Sequence, residues 1–206
     1  MNNKKTILLI IGIMISALTF AQDKAGLKLG ANFTNLYVAD VDDENLKVGF
    51  QVGLYKRLEL TEGLALQPEL LFTQKGASIH YDGNALSGSG RYRYNLNYLE
   101  LPVLFALNAG DVNFHVGPYF AALVGANVKD VEDDGTVQNV ESFDRDDFNT
   151  LDYGFSAGVG FDFDSGMMGV RYNYGFREIG ESGTFAGQAT NESKNSAIQL
   201  YFGFDF

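Results

Sequence analysis

The chain has 206 residues, a formal net charge of −11 and no cysteine. Its acidity argues against a nucleic-acid partner, and without cysteine it holds no disulfide even in an oxidising compartment. Phenylalanine (17) and tyrosine (11) are abundant, tryptophan is absent, and the 24 glycines sit inside strand-like runs rather than in a low-complexity tract.

At the N-terminus Lys4 and Lys5 precede an apolar stretch from Ile7 to Phe20, which ends at Ala21 before Gln22 and Asp23. This is the pattern of a secretory signal peptide over residues 1–21, cleaved after Ala21 and leaving 22–206 as the mature domain. No later segment approaches the ~20 consecutive apolar residues of a membrane helix, so any further insertion must use strands.

From Gly26 onward the dominant period is two. In the second segment Val48, Phe50, Val52 and Leu54 alternate with Gly49, Gln51, Gly53 and Tyr55. The sixth sets Leu151, Tyr153, Phe155, Ala157, Val159 and Phe161 against Asp152, Gly154, Ser156, Gly158 and Gly160. The seventh opposes Met168, Val170, Tyr172, Tyr174 and Phe176 to Gly169, Arg171, Asn173, Gly175 and Arg177. The last opposes Ile198, Leu200, Phe202 and Phe204 to Gln199, Tyr201, Gly203 and Asp205. Segments of about ten residues with this dyad are membrane strands.

Eight strands are expected, at about 26–37, 47–59, 64–80, 92–107, 112–128, 150–163, 167–178 and 195–206. Tight turns fall at Thr61-Glu62-Gly63, Asn108-Ala109-Gly110-Asp111 and Asp164-Ser165-Gly166. They alternate with long polar connections at about 38–46, 81–91, 129–149 and 179–194. The fold class is therefore all-β, an eight-stranded antiparallel up-and-down transmembrane β-barrel. Short periplasmic turns and long outer loops put both termini on the periplasmic side and the loops outside the cell. In the fourth strand Leu96 and Tyr98 have the opposite parity to Leu99, Leu101, Val103 and Phe105, which predicts a bulge or a change of environment near Tyr98 and Leu99.

A soluble ligand-binding barrel turns its apolar side inward. Here one face carries bulky aromatics and the other carries glycines and charges. A narrow interior accepts the second set more easily, so the apolar face is outside.

Several strings resemble the PorT-like outer-membrane β-barrel family of Bacteroidota. They are GLKLGAN from Gly26, QPELLFTQKG from Gln67, NYLELPVLF from Asn97, GPY from Gly117, DYGFSAGVG from Asp152 and RYNYGF from Arg171. NYLELP is the most specific of them, and together they cover essentially the whole mature chain. The resemblance implies a barrel in the outer membrane. The family's namesake is implicated in protein secretion, but the matched positions here are scaffold residues and do not carry that role over.

Lys28, Arg57, Glu69, Glu100, Asp162, Arg171, Arg177 and Asp205 fall on the inferred interior face, with Glu69, Glu100 and Arg171 as its central cluster. The interior of an eight-stranded barrel is just wide enough for side chains to fill, so these charges are expected to pair as a plug. A narrow polar conduit is the functional alternative. In the long connection after strand five, Asp130, Glu132, Asp134, Gly135 and Glu141 stand at positions one, three, five, six and twelve of an EF-hand-like calcium run. Glu at position three and flanking strands instead of helices weigh against Ca2+, and a hydrated acidic loop is the plainer reading, leaving no cofactor expected. Asp40, Asp42, Asp43, Glu44, Asp144, Asp146 and Asp147 extend the acidic rim.

No enzymatic constellation emerges. His80 and His115 are predicted at opposite ends of the barrel, and His115 with Asn113 reads as a satisfied interior group. The serines at 87, 89, 182, 193 and 196 lack an adjacent base. The expectation is a small monomeric outer-membrane barrel with a structural or surface-interaction role through its external loops. Transport of very small solutes is the alternative, and a lipid enzyme is the less favoured third reading. Expected partners are outer-membrane lipids, the barrel-assembly machinery during insertion, and an unidentified surface protein or ligand at the loops.

Overall fold

A computed structural model describes residues 24–37, 47–81, 90–132, 137–142, 148–180 and 193–206, and at the strand tips 35–37, 77–81, 90–93, 128–132 and 137–142 it gives the backbone pairing alone. The expected signal peptide, 1–21, lies outside the described residues. The strands are β1 (Lys24–Tyr37), β2 (Lys47–Thr61), β3 (Leu64–Tyr81), β4 (Gly90–Ala109), β5 (Val112–Glu132), β6 (Val137–Ser142), β7 (Leu151–Phe163), β8 (Gly166–Glu178) and β9 (Lys194–Asp205). All pairings are antiparallel, and chain neighbours are sheet neighbours apart from the β6 excursion. β9 returns to β1 from Gly26↔Asp205 to Tyr37↔Lys194, which closes an eight-stranded barrel of β1–β5 and β7–β9.

Three tight turns link β2 to β3, β4 to β5 and β7 to β8, the first two using Gly63 (φ 87°) and Gly110 (φ 65°). Left-handed backbone at these positions favours glycine because no Cβ meets the carbonyl. Both chain ends of the barrel lie at this short-turn end.

The alternation decides which face meets lipid. Phe50, Phe120 and Leu151 are 47%, 57% and 57% exposed, whereas Lys28, Glu100 and Arg171 are fully buried. A protein in water would not choose this inside-out distribution, because each exposed ring forgoes its transfer free energy. In hydrocarbon the distribution is the stable one, and barrel closure leaves no unpaired strand edge there.

The structure departs from the sequence expectation at one element. Part of the connection expected over 129–149 is strand: β5 runs on to Glu132 and pairs with β6. β7 pairs with β5 only as far as Leu151↔Ala122, so the upper edge of β5 would otherwise be open. β6 covers it, with Val131 set opposite Val137 and Lys129 opposite Val140. β3, β4, β5 and β6 thus continue as a sheet past the point where β7 joins the wall.

Of the two causes expected for the parity change in β4, the change of environment accounts for it: β4 alternates without a break, with Leu96, Tyr98 and Glu100 inward and Leu99 outward, and the bulge lies on its partner β5. Asn97 pairs with Gly125 and Tyr98 with Leu123, so Val124 is an extra residue bulged on β5. The lumen becomes apolar at this height: Leu96, Tyr98, Tyr119, Ala121 and Leu123 cluster with Phe148 and Ile179 from two of the connections.

Candidate functional site

The lumen is filled in tiers, and the strand period places each side chain in it. At the short-turn end Arg57 on β2 clasps Asp162 on β7 (Nη1–Oδ2 2.7 Å, Nη2–Oδ1 3.1 Å). Asn113 donates to the same carboxylate at 2.8 Å, and the Tyr55 hydroxyl donates to Asp205. Tyr55 can lie there because Gly26 and Gly203 face it; a Cβ on Gly26 would come within 2.5 Å of its ring.

In the middle tier Glu69 on β3 accepts from two cations. Arg171 on β8 makes a bidentate pair with it (Nη1–Oε2 and Nη2–Oε1, both 2.8 Å), and Lys28 Nζ lies 3.0 and 2.9 Å from its two oxygens. Gln67 adds a further donor at 2.7 Å. The Tyr201 ring lies under Lys28 Nζ at 3.8 Å and beside Arg171 at 5.3 Å, a cation–π support in a site without bulk water.

One tier higher the signs are reversed. Lys75 Nζ on β3 stands 2.5 Å from Glu100 Oε2 and 3.9 Å from Asp152 Oδ2, the first contact ionic but off the hydrogen-bond axis. Asn173 donates to Glu100 at 3.0 Å, while Tyr119 and Asn195 donate to Asp152 at 3.1 and 2.9 Å. Lys75 also lies over the Tyr119 ring at 4.4 Å. The middle tier formally holds two cations and one anion, the upper tier one cation and two anions, so together they are neutral. Buried charges persist only with such partners.

Above these tiers Phe148 and Ile179, 1% and 3% exposed, close the mouth against Leu96, Tyr98 and Leu123. Phe148 bridges Gly180, and the Asn149 side chain donates to the carbonyls of Glu178 (2.9 Å) and Gly180 (3.1 Å), which ties the two connections together.

Of the residues singled out in the sequence, Glu69 and Arg171 are in direct contact, while Glu100 belongs to the tier above with Lys75 and Asn173. Lys75 and Asp152 were missed as cluster members, although both share the inward parity of their strands. Phe148 and Ile179 lie in connections, where no period exists to find them. Arg177 sits at the mouth and donates to Leu151 O (3.2 Å) and Asn149 Oδ1 (2.8 Å) instead of joining the interior pairs. His115 Nδ1 meets Asn113 Oδ1 at 3.0 Å, but its Nε2 has no protein partner among the described residues, so the group is only half satisfied.

The calcium candidates are placed by backbone alone. Asp130, Glu132 and Glu141 fall on one face of the β5–β6 hairpin by register, Asp130↔Asn139 and Val128↔Glu141. Asp134 lies outside the described residues, as do the acidic positions 40–44 and 144–147 and the serines at 87, 89 and 182. His80 pairs with Arg91 at the long-connection end and His115 with Ala106 near the short-turn end, so the two histidines share no site.

A closed barrel with a lipid-compatible exterior and a charged interior leaves one decisive comparison. Residues 20–181 match the family described as outer membrane protein beta-barrel domain. The chain belongs to that family. This outer-membrane barrel also aligns with solved barrels of low identity. A major outer membrane protein from Thermus thermophilus is 12% identical, with 90% of this chain and 100% of that one covered at a TM-score of 0.50. Ail, the attachment invasion locus protein of Yersinia pestis, solved with the heparin analogue sucrose octasulfate, is 11% identical (90% and 100% covered, TM-score 0.48). Neisserial surface protein A is 10% identical (90% and 98% covered, TM-score 0.47). At these identities the likeness concerns the fold. No curated protein matches the sequence. The location of this barrel is the outer membrane.

Proposed function

We propose that this outer-membrane barrel is a non-enzymatic structural and surface-interaction protein whose contacts are made by its long connections and by the β5–β6 hairpin. The filled lumen carries this reading. Two neutralising ionic tiers and the Phe148/Ile179 plug leave the interior as scaffold, so a specific activity has to reside outside it. The contrast between three tight turns and four long connections supports an orientation with both termini periplasmic and the long connections extracellular. Barrel closure supports a monomer, inserted by the assembly machinery that handles such strands. Within the family, the NYLELPVLF string at Asn97 favours placement beside the PorT-like barrels.

The acidic face of the hairpin is read as a hydrated rim. An EF-hand run wraps one continuous loop around its ion, whereas here Asp130 and Glu141 stand on two paired strands. Calcium titration of the folded protein is expected to show no saturable binding at millimolar concentration. Transport of very small solutes remains the competing function, and conductance discriminates it.

Proximity labelling and pull-down from intact outer membranes, comparing the wild type with a variant shortened over 129–149, tests the interaction reading. A partner captured by the wild type and lost from the correctly assembled variant is the expected result. The same set of neighbours for both proteins would sink the assignment to this hairpin.

A further inference from the structure

On the outward face of the wall made by β3, β4 and β5, polarity changes in steps toward the long-connection end. The apolar belt reaches Leu99, Phe120 and Val124, all exposed. Next come two amide pairs, Gln74 Nε2 to Asn97 Oδ1 at 3.1 Å and Asn95 Nδ2 to Asn127 Oδ1 at 2.8 Å. The register then puts two further rows on the same face, Ser78–Arg93–Lys129–Val140 and His80–Arg91–Val131–Val137. The alternate rows, Ala77–Tyr94–Val128–Glu141 and Ile79–Tyr92–Asp130–Asn139, belong to the opposite face. The sheet that rises past β7 is thus segregated, with its carboxylates on one side and its cations on the other.

Two features of the cationic rows call for an anion. Arg93 is directly opposite Lys129, and like charges facing each other across a ladder are destabilising by themselves, while Arg91 is opposite His80, which brings no negative charge. No carboxylate occurs in either row, in a chain whose acids outnumber its lysines and arginines by 26 to 15. The height also selects a ligand. Four residues separate Asn97 from Arg93, about 13 Å along the strand and roughly 10 Å along the membrane normal after tilt. That is headgroup level, above the hydrocarbon. Guanidinium groups match phosphate oxygens in bidentate geometry, and lysine adds a point charge.

We propose that this outward face binds the phosphate groups of an outer-leaflet glycolipid through Arg91, Arg93 and Lys129. The outer-leaflet part rests on the orientation argued above, whereas phosphate recognition does not.

The test uses the full-length protein folded in detergent micelles, with native mass spectrometry against diphosphoryl lipid A, the same lipid with its phosphates removed, and inorganic pyrophosphate. Diphosphoryl lipid A should bind the wild type and weaken as salt rises. At roughly fivefold per cation near an anionic surface, the variant Arg91→Gln/Arg93→Gln/Lys129→Gln should lose about a hundredfold in affinity. Arg91→Lys/Arg93→Lys should keep most of it, and a strand-type circular dichroism spectrum shared by all variants shows that they are folded. Equal binding of the dephosphorylated lipid, or unchanged affinity in the folded triple variant, would overturn the proposal. So would full displacement of the lipid by micromolar pyrophosphate, which would mark a site for soluble anions. Orientation is read separately, by labelling a Ser87→Cys variant, in the connection between β3 and β4, with a membrane-impermeant maleimide on intact cells. Absence of labelling alongside intact lipid binding would overturn the outer-leaflet assignment alone.

Discussion

Arg171 and Glu69, 102 positions apart in the chain, meet inside the barrel through two parallel hydrogen bonds of 2.8 Å. Neither is touched by solvent, and Lys28 shares the same carboxylate. Glu69→Gln therefore leaves two buried cations without their counter-charge. We expect a loss of about 3–5 kcal/mol, the usual consequence of breaking a buried pair from one side. Replacing all three together, as Lys28→Met/Glu69→Leu/Arg171→Met, should recover much of it, because the two cations that Glu69→Gln strands are removed with it, although the upper tier then keeps its formal −1 without the middle tier's +1. Urea unfolding in detergent, followed by circular dichroism, separates the two variants.

A second prediction concerns close approach between β2 and β3. A Cβ on Gly53 would come within 2.0 Å of Leu70 O and 2.7 Å of Leu71 Cα. Both are backbone atoms, so no side chain can rotate away. Gly53→Ala should cost about 1–3 kcal/mol by overpacking, whereas Gly110→Ala has open space around it and pays only for its left-handed φ of 65°. Thermal melts of the two variants in the same detergent should rank them in that order.

Most of the scaffold was legible because a membrane strand writes one period over about ten residues. The alternation of Phe50, Val52 and Leu54 with Gln51, Gly53 and Tyr55 states which face meets lipid, and the exposures agree. The partners inside the barrel were legible only as a set. Parity places Glu69, Glu100 and Arg171 on the interior face but says nothing about height, and height depends on the stagger between strands. That stagger sends Glu100 to Lys75 and leaves Glu69 with Lys28 and Arg171. β6 escaped because its reason for existing, the uncovered upper edge of β5, is a property of the closed barrel and not of residues 137–142 themselves.

The mouth supplies a third prediction. Phe148 contributes a buried ring from outside any strand of the barrel, and the backbone beside it is held by Asn149 N to Ile179 O at 2.8 Å and Ile179 N to Ser193 O at 2.9 Å. Phe148→Ala removes the packing that holds those bonds shut, a change on the order of 3 kcal/mol for a core phenylalanine. Hydrogen exchange should accelerate at Asn149 and Ile179 while the amides of β1, β8 and β9 keep their protection. Acceleration spread over the whole barrel would show that the plug supports global stability and is not a local closure.

Conductance follows from the charge arrangement. With Lys75 in place, the two carboxylates of the upper tier already share a cation: its ammonium lies between Glu100, Asp152 and the Tyr119 ring. In planar bilayers the wild type is expected to show no discrete channels. Removing Lys75 alone leaves the Phe148/Ile179 plug above it, and removing Phe148 alone leaves the ionic tier below. The double variant Lys75→Ala/Phe148→Ala takes away both, and it leaves the formally negative Glu100 and Asp152 facing the widened space. Any current it carries should favour cations, read as the sign of the reversal potential across a potassium chloride gradient. Steady openings in the wild type would instead favour solute transport, because a lumen closed by these tiers has no path for them.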